Sequence, residues 1–438
     1  MNQNPTPAKA SSFGPWGWIP SVYIAEGLPY FAVNVLTVIM YTNMGIPPTE
    51  MAFYTGLLYL PWVIKPFWSP FVDLIKTKRW WTLGMQLLIA VAMASVAIAI
   101  TSKAYFFISL VFFWIMAFCS ATHDIAADGF YMLALDEKQQ AAYVGIRSTF
   151  YRIASILGQG LIVMFAGYLE IKYAEVSTAW SATFILLSAV FLLIFLWDRF
   201  ALPRPAADKP RTDISHQVLL KEFVFTFFTF FRKKHIWLAL TFILLYRLPE
   251  AMCLKLVSPF LLDSVENGGL GLSTAQVGFA NGTVGVVALL AGGIVGGLLV
   301  ARGGLKRWLW PMALSLTLPC LVYCIFALYQ PSNLFWISVG LGIEQFGYGF
   351  GFTAYMLYLM YFSAGESQTS HYAFCTAFMA LGMMIPGMAA GWIFDFFNKF
   401  DNVGTLSAGY LFFFSFIMVT SIATFVAVSV IKPTIKED

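Results

Sequence analysis

Long uncharged apolar segments recur along almost the whole chain, and they restrict its possible folds more than any other feature. Each segment approaches or exceeds the ~20 residues that a helix needs to cross the hydrocarbon core of a bilayer. Within that core every backbone N–H and C=O group must find a partner inside the protein, and a helix provides one within a single segment. The residues are 59% hydrophobic and only 11% charged. The sequence therefore predicts an all-α membrane protein.

Twelve such segments can be distinguished, six on either side of the longest polar stretch, 203–215. They cover residues 16–41, 51–74, 80–101, 105–135, 142–169, 178–197, 236–262, 276–300, 308–329, 334–362, 371–394 and 405–430. We therefore predict two six-helix bundles with similar arrangements. The predicted divisions are a tail at 1–15, an N-terminal bundle at 16–199, a linker at 200–234, a C-terminal bundle at 235–431 and a tail at 432–438.

Basic residues predict how the chain is oriented, because Lys and Arg are retained in cytoplasmic loops. Most of the 26 Lys and Arg residues fall in loops on one side, and only Lys103, Lys172 and Lys399 fall in loops on the other. Both termini are therefore predicted to be cytoplasmic.

The linker contains the segment VLLKEFVFTFFTFFRKK, which has the pattern of an amphipathic helix lying on a membrane surface. We predict that Phe223, Phe227 and Phe230 face lipid. The basic residues Lys221, Arg232, Lys233 and Lys234 are predicted to face the headgroups.

Two short basic loops occupy equivalent places in the two halves: SPFVDLIKTKRWW after the second segment and GGLLVARGGLKRWLW after the eighth. Both resemble the signature loop of the major facilitator superfamily, whose members are built from two parallel six-helix repeats. The resemblance implies a gating role for Asp73, Lys76 and Arg79 in the first loop and for Arg302 in its copy.

Ionisable residues inside the predicted spans are candidates for function, because a charge at the bilayer centre costs roughly 2.5–3.5 kcal/mol on insertion scales. A stripe of the first helix carries polar side chains at i, i+3, i+7 and i+11, namely Tyr23, Glu26, Tyr30 and Asn34. Asp124 and Asp128 share a face of the fourth helix, where two carboxylates in a low dielectric cannot both ionise easily. One of these carboxyl groups could therefore carry a proton.

Further polar groups lie within the fifth, seventh, eighth and tenth segments. They are Arg152, Arg247, Glu250, Lys255, Asn281, Glu344 and Gln345. We expect these groups to face a shared aqueous cleft between the bundles. The alternative is that buried carboxylates and guanidinium groups neutralise one another and only hold helices together.

Several strings resemble the AmpG-type muropeptide permeases, a branch of the superfamily that also contains acetyl-CoA transporters. They are CSATHDIAADGFYMLAL with YRIASILGQGL in the first half, and YRLPEAMCLKLVSPFLL with GLSTAQVGFANGTVGVVALLAGGIVGG in the second. The pattern differs at His123, where the permeases usually have Gln, and at Gly129, where they usually have Ala.

This resemblance implies a proton symporter of the bacterial inner membrane that imports N-acetylglucosaminyl-anhydro-N-acetylmuramic acid, with or without peptide, for cell-wall recycling. Asp124, Asp128, Glu26 and Glu250 are the candidates for proton coupling. The candidates for substrate binding are Tyr30, Asn34, Arg152, Arg247, Lys255, Asn281, Glu344 and Gln345. No metal, cofactor or nucleic acid is expected, only the proton, the substrate and the lipid bilayer around a monomer.

Two other functions remain open. An acetyl-CoA or other anionic carrier of the same branch would need several basic groups in the cleft. A membrane acyltransferase is the remote alternative, because His123 and Asp128 form an H-x-x-x-x-D pattern. That pattern falls in the middle of a predicted membrane helix and has no other catalytic group beside it, so we expect a transporter and not an enzyme.

Overall fold

The computed structural model describes residues 14–209, 216–365, 368–399 and 408–435, and within these ranges every regular element is a helix. The side chains of a few residues in the helices, including Asp73 and Phe223, lie outside this description. The predicted all-α class is confirmed.

The N-terminal half, residues 14–209, contains nine α-helices. They are α1 (Ile19–Phe31), α2 (Thr37–Asn43), α3 (Pro48–Leu57), α4 (Leu60–Leu74), α5 (Lys78–Ala99), α6 (Tyr105–Ala134), α7 (Glu137–Ser155), α8 (Val163–Tyr173) and α9 (Val176–Ala201). Short π-helical segments, Ala32–Leu36 and Ile156–Ile162, join α1 to α2 and α7 to α8 without a break.

The C-terminal half, residues 216–435, contains the remaining ten α-helices of the described chain. They are α10 (His216–Phe231), α11 (Ile236–Leu245), α12 (Leu248–Leu262), α13 (Thr274–Val277), α14 (Val286–Gly303), α15 (Leu305–Thr317), α16 (Leu321–Tyr329), α17 (Leu334–Ser363), α18 (Gln368–Asn398) and α19 (Gly409–Ile431). A third π-helical segment, Gly278–Gly285, joins α13 to α14.

Ten helical stretches in the described residues are long and apolar enough to cross a membrane. Two of the segments that we predicted as spans are not among these ten. The first is divided into α3 and α4 by a break before Leu60, and the second is the continuous 30-residue helix α17, which is rich in Gly and Tyr.

Polar side chains fix where several helices begin. Asp136 and Gln139 form a capping box at the start of α7, and Ser273 and Gln276 form another at α13. In each box the two side chains satisfy backbone N–H groups that the first helical turn leaves without partners. These two boxes therefore fix the starts of α7 and α13.

The halves meet along two seams. In one seam α3 and α4 pack against α18, and in the other the π-helical segments Ile156–Ile162 and Gly278–Gly285 cross. Glycine permits the second crossing, because a Cβ atom at Gly282 would lie 1.8 Å from the backbone oxygen of Gln159. We call the side of the molecule that carries both ends of the described chain the termini side, and the opposite side the far side.

The orientation predicted for the linker helix is wrong where it can be checked. Phe230 in α10 is fully buried, and its ring packs 5.4 Å from that of Phe374 in α18. Phe227 packs on the same ring at 5.8 Å. Phe225 and Phe228 are exposed instead. The sequence pattern identified the amphipathic helix. Because Phe residues occur on both of its faces, the pattern did not determine which face packs against the protein.

Gly282→Ala should lower the free energy of unfolding by about 1–3 kcal/mol, because the added methyl group overpacks a backbone contact. Gly84→Ala is the matched control, since a Cβ atom there meets no atom within 4 Å. Thermal unfolding of the purified variants in detergent measures the effect. Equal stability of both variants would show that the two π-helical segments do not cross as closely as described.

Candidate functional site

Three carboxylates from α1 and α6 form the most concentrated group of charge in the described chain. Oxygen atoms of Glu26, Asp124 and Asp128 all lie within 4.8 Å of one another, and the three residues are half-buried. The i, i+4 spacing on α6 places the two aspartates on one face. The close approach of α1 and α7 completes the pocket, because a Cβ atom at Gly27 would lie 2.7 Å from that of Ala154.

Two basic residues from other helices face this carboxylate cluster. Lys65 of α4 forms a short ion pair with Asp124, and the Nη2 atom of Arg147 on α7 lies 2.7 Å from Oδ1 of Asp128. The Tyr23 hydroxyl donates a further hydrogen bond to Asp128 at 3.2 Å. The Arg147 guanidinium stacks 4.7 Å from the centre of the Tyr23 ring, a cation–π contact. The two aspartates are therefore both neutralised.

Glu26 differs from the two aspartates because no described basic residue forms an ion pair with it. Its Oε2 atom is buried and accepts no hydrogen bond. An ionised carboxylate without a donor is costly in a low-dielectric environment. Three carboxyl groups facing two cations are balanced when one carboxyl group holds a proton, and Glu26 is the one without a basic partner.

A second charged group lies at the junction of α11 and α12. Arg247 donates to both carboxylate oxygens of Glu250, from Nε at 2.7 Å and from Nη2 at 2.8 Å. Its Nη2 also donates to the Tyr348 hydroxyl at 2.8 Å, and the guanidinium stacks 4.7 Å from the Phe352 ring. The junction arises because Pro249, in the first turn of α12, lacks the backbone N–H that would continue the hydrogen bonding of α11.

Two other buried charges have only neutral partners among the described residues. Glu344 accepts hydrogen bonds from the Tyr323 hydroxyl at 2.9 Å and from Gln345 Nε2 at 2.8 Å. Lys255 is only 4% exposed and donates to the Thr55 hydroxyl at 3.1 Å, with its Nζ atom 5.4 Å from the Tyr59 ring centre. Lys255 thus joins the two halves through a hydrogen bond.

Aromatic side chains occupy the space between these groups. The Tyr30 ring packs edge-on against Trp62 at 5.3 Å and Tyr59 at 6.4 Å. Tyr30 is also close enough to Arg247 to interact electrostatically, so α1 and the α11–α12 junction approach one another. These flat amphipathic faces are suited to contact with a sugar or another amphipathic ligand.

The predicted stripe on the first helix does not continue to Asn34. Asn34 lies in the π-helical segment Ala32–Leu36, which changes the angular spacing that a regular α-helix would give. Its Nδ2 donates to the Tyr30 carbonyl at 2.9 Å, whereas its Oδ1 is buried and accepts no hydrogen bond.

Other predicted residues stand apart from both charged groups. Arg152 is exposed and forms no ion pair with a described residue, and Asn281 is half-buried in the third π-helical segment. Of the predicted gate, Lys76 and Arg302 are exposed, whereas Arg79 donates to the carbonyls of Arg199 at 2.6 Å and Leu202 at 3.3 Å. The Asp73 side chain lies outside the described part of the structure.

The structure adds Lys65, Arg147 and Tyr23 to the predicted site. A signal for Tyr23 was present, because it precedes Glu26 by three residues in one helix. Lys65 and Arg147 lie toward the ends of their segments, where a basic side chain can also extend to the membrane surface. Sequence position alone could not separate these two possibilities.

His123 points away from the carboxylate cluster into a separate buried network. Gln86 Nε2 lies 3.3 Å from His123 Nε2 and donates to Asp198 at 2.7 Å, and the Ser21 hydroxyl also donates to Asp198, at 2.5 Å. The network joins α1, α5, α6 and α9. It explains His123 as a structural residue and removes the pattern that suggested an acyltransferase.

Residues 21–385 match the family model described as Major Facilitator Superfamily, and the chain belongs to this superfamily. It is a multi-pass transporter of the bacterial inner membrane and not an enzyme. Solved transporters share the fold: a D-xylose-proton symporter superposes with a TM-score of 0.70 at 10% identity, covering 93% of this chain and 97% of the other. An inward-facing, unoccupied bacterial homologue of the lysosomal transporter Spinster gives 0.67 at 13% identity, covering 95% of both chains.

Relatives in sequence fall in the predicted branch. The Anhydromuropeptide permease of Escherichia coli (strain K12) is 25% identical over 376 residues, which cover 85% of this chain and 72% of the relative. A protein of Rickettsia conorii named Putative transporter AmpG 4 is 23% identical over 77% of this chain and 79% of the relative. The resemblance to AmpG-type permeases is confirmed.

Arg147→Gln should destabilise the protein by about 1–2 kcal/mol, less than for a fully buried pair because the pair keeps partial contact with water. Asp128→Asn in the same chain should recover part of this loss, since it removes the carboxylate that lacks a partner. Arg152→Gln is the control, because that side chain has no described partner. Thermal unfolding curves give the comparison, and additive effects of Arg147→Gln and Asp128→Asn would contradict the pairing.

Proposed function

We propose that the chain imports anhydro-muropeptides from the periplasm into the cytoplasm by proton symport. The observation that carries the proposal is the cluster of three carboxylates and two basic residues, in which Glu26 has no basic partner. Such a cluster can gain and lose one proton while both ion pairs are kept. The similarity to the Escherichia coli permease supports the choice of cargo.

The proposal includes a twelve-helix architecture with two equivalent halves and both termini in the cytoplasm. In this arrangement α3 with α4, and also α17, cross the membrane in addition to the ten apolar stretches. The termini side is then cytoplasmic and the far side periplasmic. The basic loops that carry Lys76, Arg79 and Arg302 support this orientation.

Substrate recognition is assigned to the space between the halves. Tyr30 and its neighbours Tyr59 and Trp62 offer aromatic faces for the sugar rings of the substrate. The side-chain amides of Asn281 and Gln345 are assigned to the acetamido and hydroxyl groups of the substrate. Lys255 has no carboxylate partner among the described residues, so it can bind an anionic group of the substrate. Arg247 is already held by Glu250, and we propose that a peptide carboxylate competes for it.

Glu250, Glu344, Asn34 and Arg152 keep the roles proposed from the sequence, with Glu250 in proton coupling and the others in substrate binding. Glu250 can take part only if its ion pair with Arg247 rearranges during transport. Lys76, Arg79, Arg302 and Asp73 are proposed as the gate of the termini side.

An acetyl-CoA carrier is the second candidate within the branch. Its cargo carries several phosphate charges and would need a group of uncommitted basic residues. Lys65, Arg147 and Arg247 are all paired with carboxylates in the structure. This pairing favours a cargo with few negative charges.

Proteoliposomes with an inward proton gradient should accumulate labelled N-acetylglucosaminyl-anhydro-N-acetylmuramic acid, and collapse of the gradient should abolish accumulation. Acetyl-CoA added in excess should leave uptake unchanged. Accumulation of acetyl-CoA in place of the muropeptide, or uptake driven by a sodium gradient alone, would reject the proposed cargo or the proposed coupling ion.

Glu26→Gln should uncouple transport from the proton, because glutamine imitates the protonated carboxyl group but cannot release a proton. We expect at least tenfold less gradient-driven accumulation, while exchange of labelled for unlabelled substrate continues. Asp124→Asn should reduce both activities, because it breaks the ion pair with Lys65. Exposed Glu175, changed to Gln, serves as the control. Full accumulation by Glu26→Gln would exclude this residue as the proton carrier.

A further inference from the structure

Four hydrogen bonds between described side chains join the two halves, and each lies toward the far side. They link Asn43 with Thr274, Glu170 with Thr274, Thr49 with Asp395, and Thr55 with Lys255. Two of the four converge on Thr274, the first residue of α13.

Glu170, near the end of α8, is the centre of this far-side group. Its carboxylate accepts from Asn43 Nδ2 at 2.7 Å, from Trp180 Nε1 at 2.7 Å and from the Thr274 hydroxyl at 2.5 Å. Asn43 Nδ2 also lies 2.7 Å from the Thr274 hydroxyl oxygen. Three neutral donors from three different helices thus converge on one carboxylate.

The backbone is closely packed around the same group. A Cβ atom at Gly167 would lie 2.3 Å from the amide nitrogen of Ala275, and one at Gly391 would lie 2.6 Å from the carbonyl oxygen of Pro48. Both contacts join one half to the other. This close backbone packing and the hydrogen bonds both hold the two halves together at the far side.

A surface cleft of about 340 Å³ lies beside the closed contact, and both halves line it. Asn43 and Met51 contribute from the N-terminal half, and Asp263 and Tyr410 from the C-terminal half. Met51 is only 1% exposed at this cleft. A separation of the halves at Thr274 would extend the cleft inward.

We propose that Asn43, Glu170 and Thr274 form the far-side gate of the transporter, with Glu170 as the acceptor that closes it. The inference rests on the proposed transport by alternating access, and it places a second gate opposite the basic loops. On opening, Thr274 leaves with the C-terminal half and water replaces its two bonds. The bond from Trp180 is internal to the N-terminal half and holds Glu170 in position for the next closure.

The test measures the opening of the gate without any substrate. The native residues Cys119, Cys253, Cys320, Cys324 and Cys375 are replaced, and Met51→Cys is introduced as a reporter. Spheroplasts, which expose the periplasmic face, are treated with a membrane-impermeant maleimide. Thr274→Val should raise the labelling rate by about tenfold, because it removes both bonds that Thr274 makes to the N-terminal half. Glu170→Ala should raise the labelling rate as well, because it removes the acceptor of one of these two bonds.

Glu175→Ala is the matched control on the same side of the molecule. Its carboxylate accepts hydrogen bonds from neighbouring Ser177 and Thr178, which hold its pKa below the usual value, and among the described residues it forms no hydrogen bond or ion pair with the other half. Its labelling rate should stay within about twofold of the parent. If Glu170→Ala folds poorly, the labelling rate of Thr274→Val alone tests the gate, since valine is nearly isosteric with threonine and the hydrogen bond from Trp180 to Glu170 is kept.

An unchanged labelling rate in Thr274→Val, or an equal rise of the labelling rate in Glu175→Ala, would contradict the proposed gate. Faster labelling in inside-out vesicles and not in spheroplasts would retain the gate but reverse the proposed orientation. Because no substrate is present, a failure of muropeptide uptake leaves the labelling result unaffected, so the two proposals can be rejected separately.

Discussion

The exclusion of isolated charge from hydrocarbon determines the arrangement of this transporter. An ionised group inside a membrane is tolerated when it has an opposite charge, several hydrogen-bond donors or contact with water. Asp124 and Asp128 obtain their partners from α4 and α7, so one electrostatic requirement draws two helices against α6. This pairing leaves Glu26 without a basic partner, so the cluster has one more carboxyl group than it has basic residues. In the proposed symport, that inequality is what allows a proton to take part.

The two halves satisfy the same requirement in different ways. The N-terminal half groups its charges into one cluster of five residues, together with the buried Asp198 network behind it. The C-terminal half separates them into the Arg247–Glu250 pair, the hydrogen-bonded Glu344 and the solitary Lys255. Both sets approach the aromatic residues around Tyr30.

The helical class and the family could be predicted from the sequence, and so could a set of candidate residues, because apolar length and the cost of buried charge act locally along the chain. The partners could not be predicted in the same way. Whether Lys65 extends to the surface or pairs with Asp124 depends on how α4 packs against α6. Asn34 was placed on a regular stripe that a π-helical segment interrupts, and Arg152 is exposed although it lies midway along its segment. Glu170 was not singled out, since a carboxylate at a helix end usually indicates only a solvated residue.

The crossing of Gly160 and Gly282 has a mechanical consequence. At this seam the main chains of the two halves approach closely, and the side chain of Thr283 lies against Gly160. Such a close backbone contact can act as a fulcrum: the distance between the backbones stays nearly constant while the angle between them varies. Closure at one face of the membrane and opening at the other can then be produced by a single rotation, without compressing either bundle.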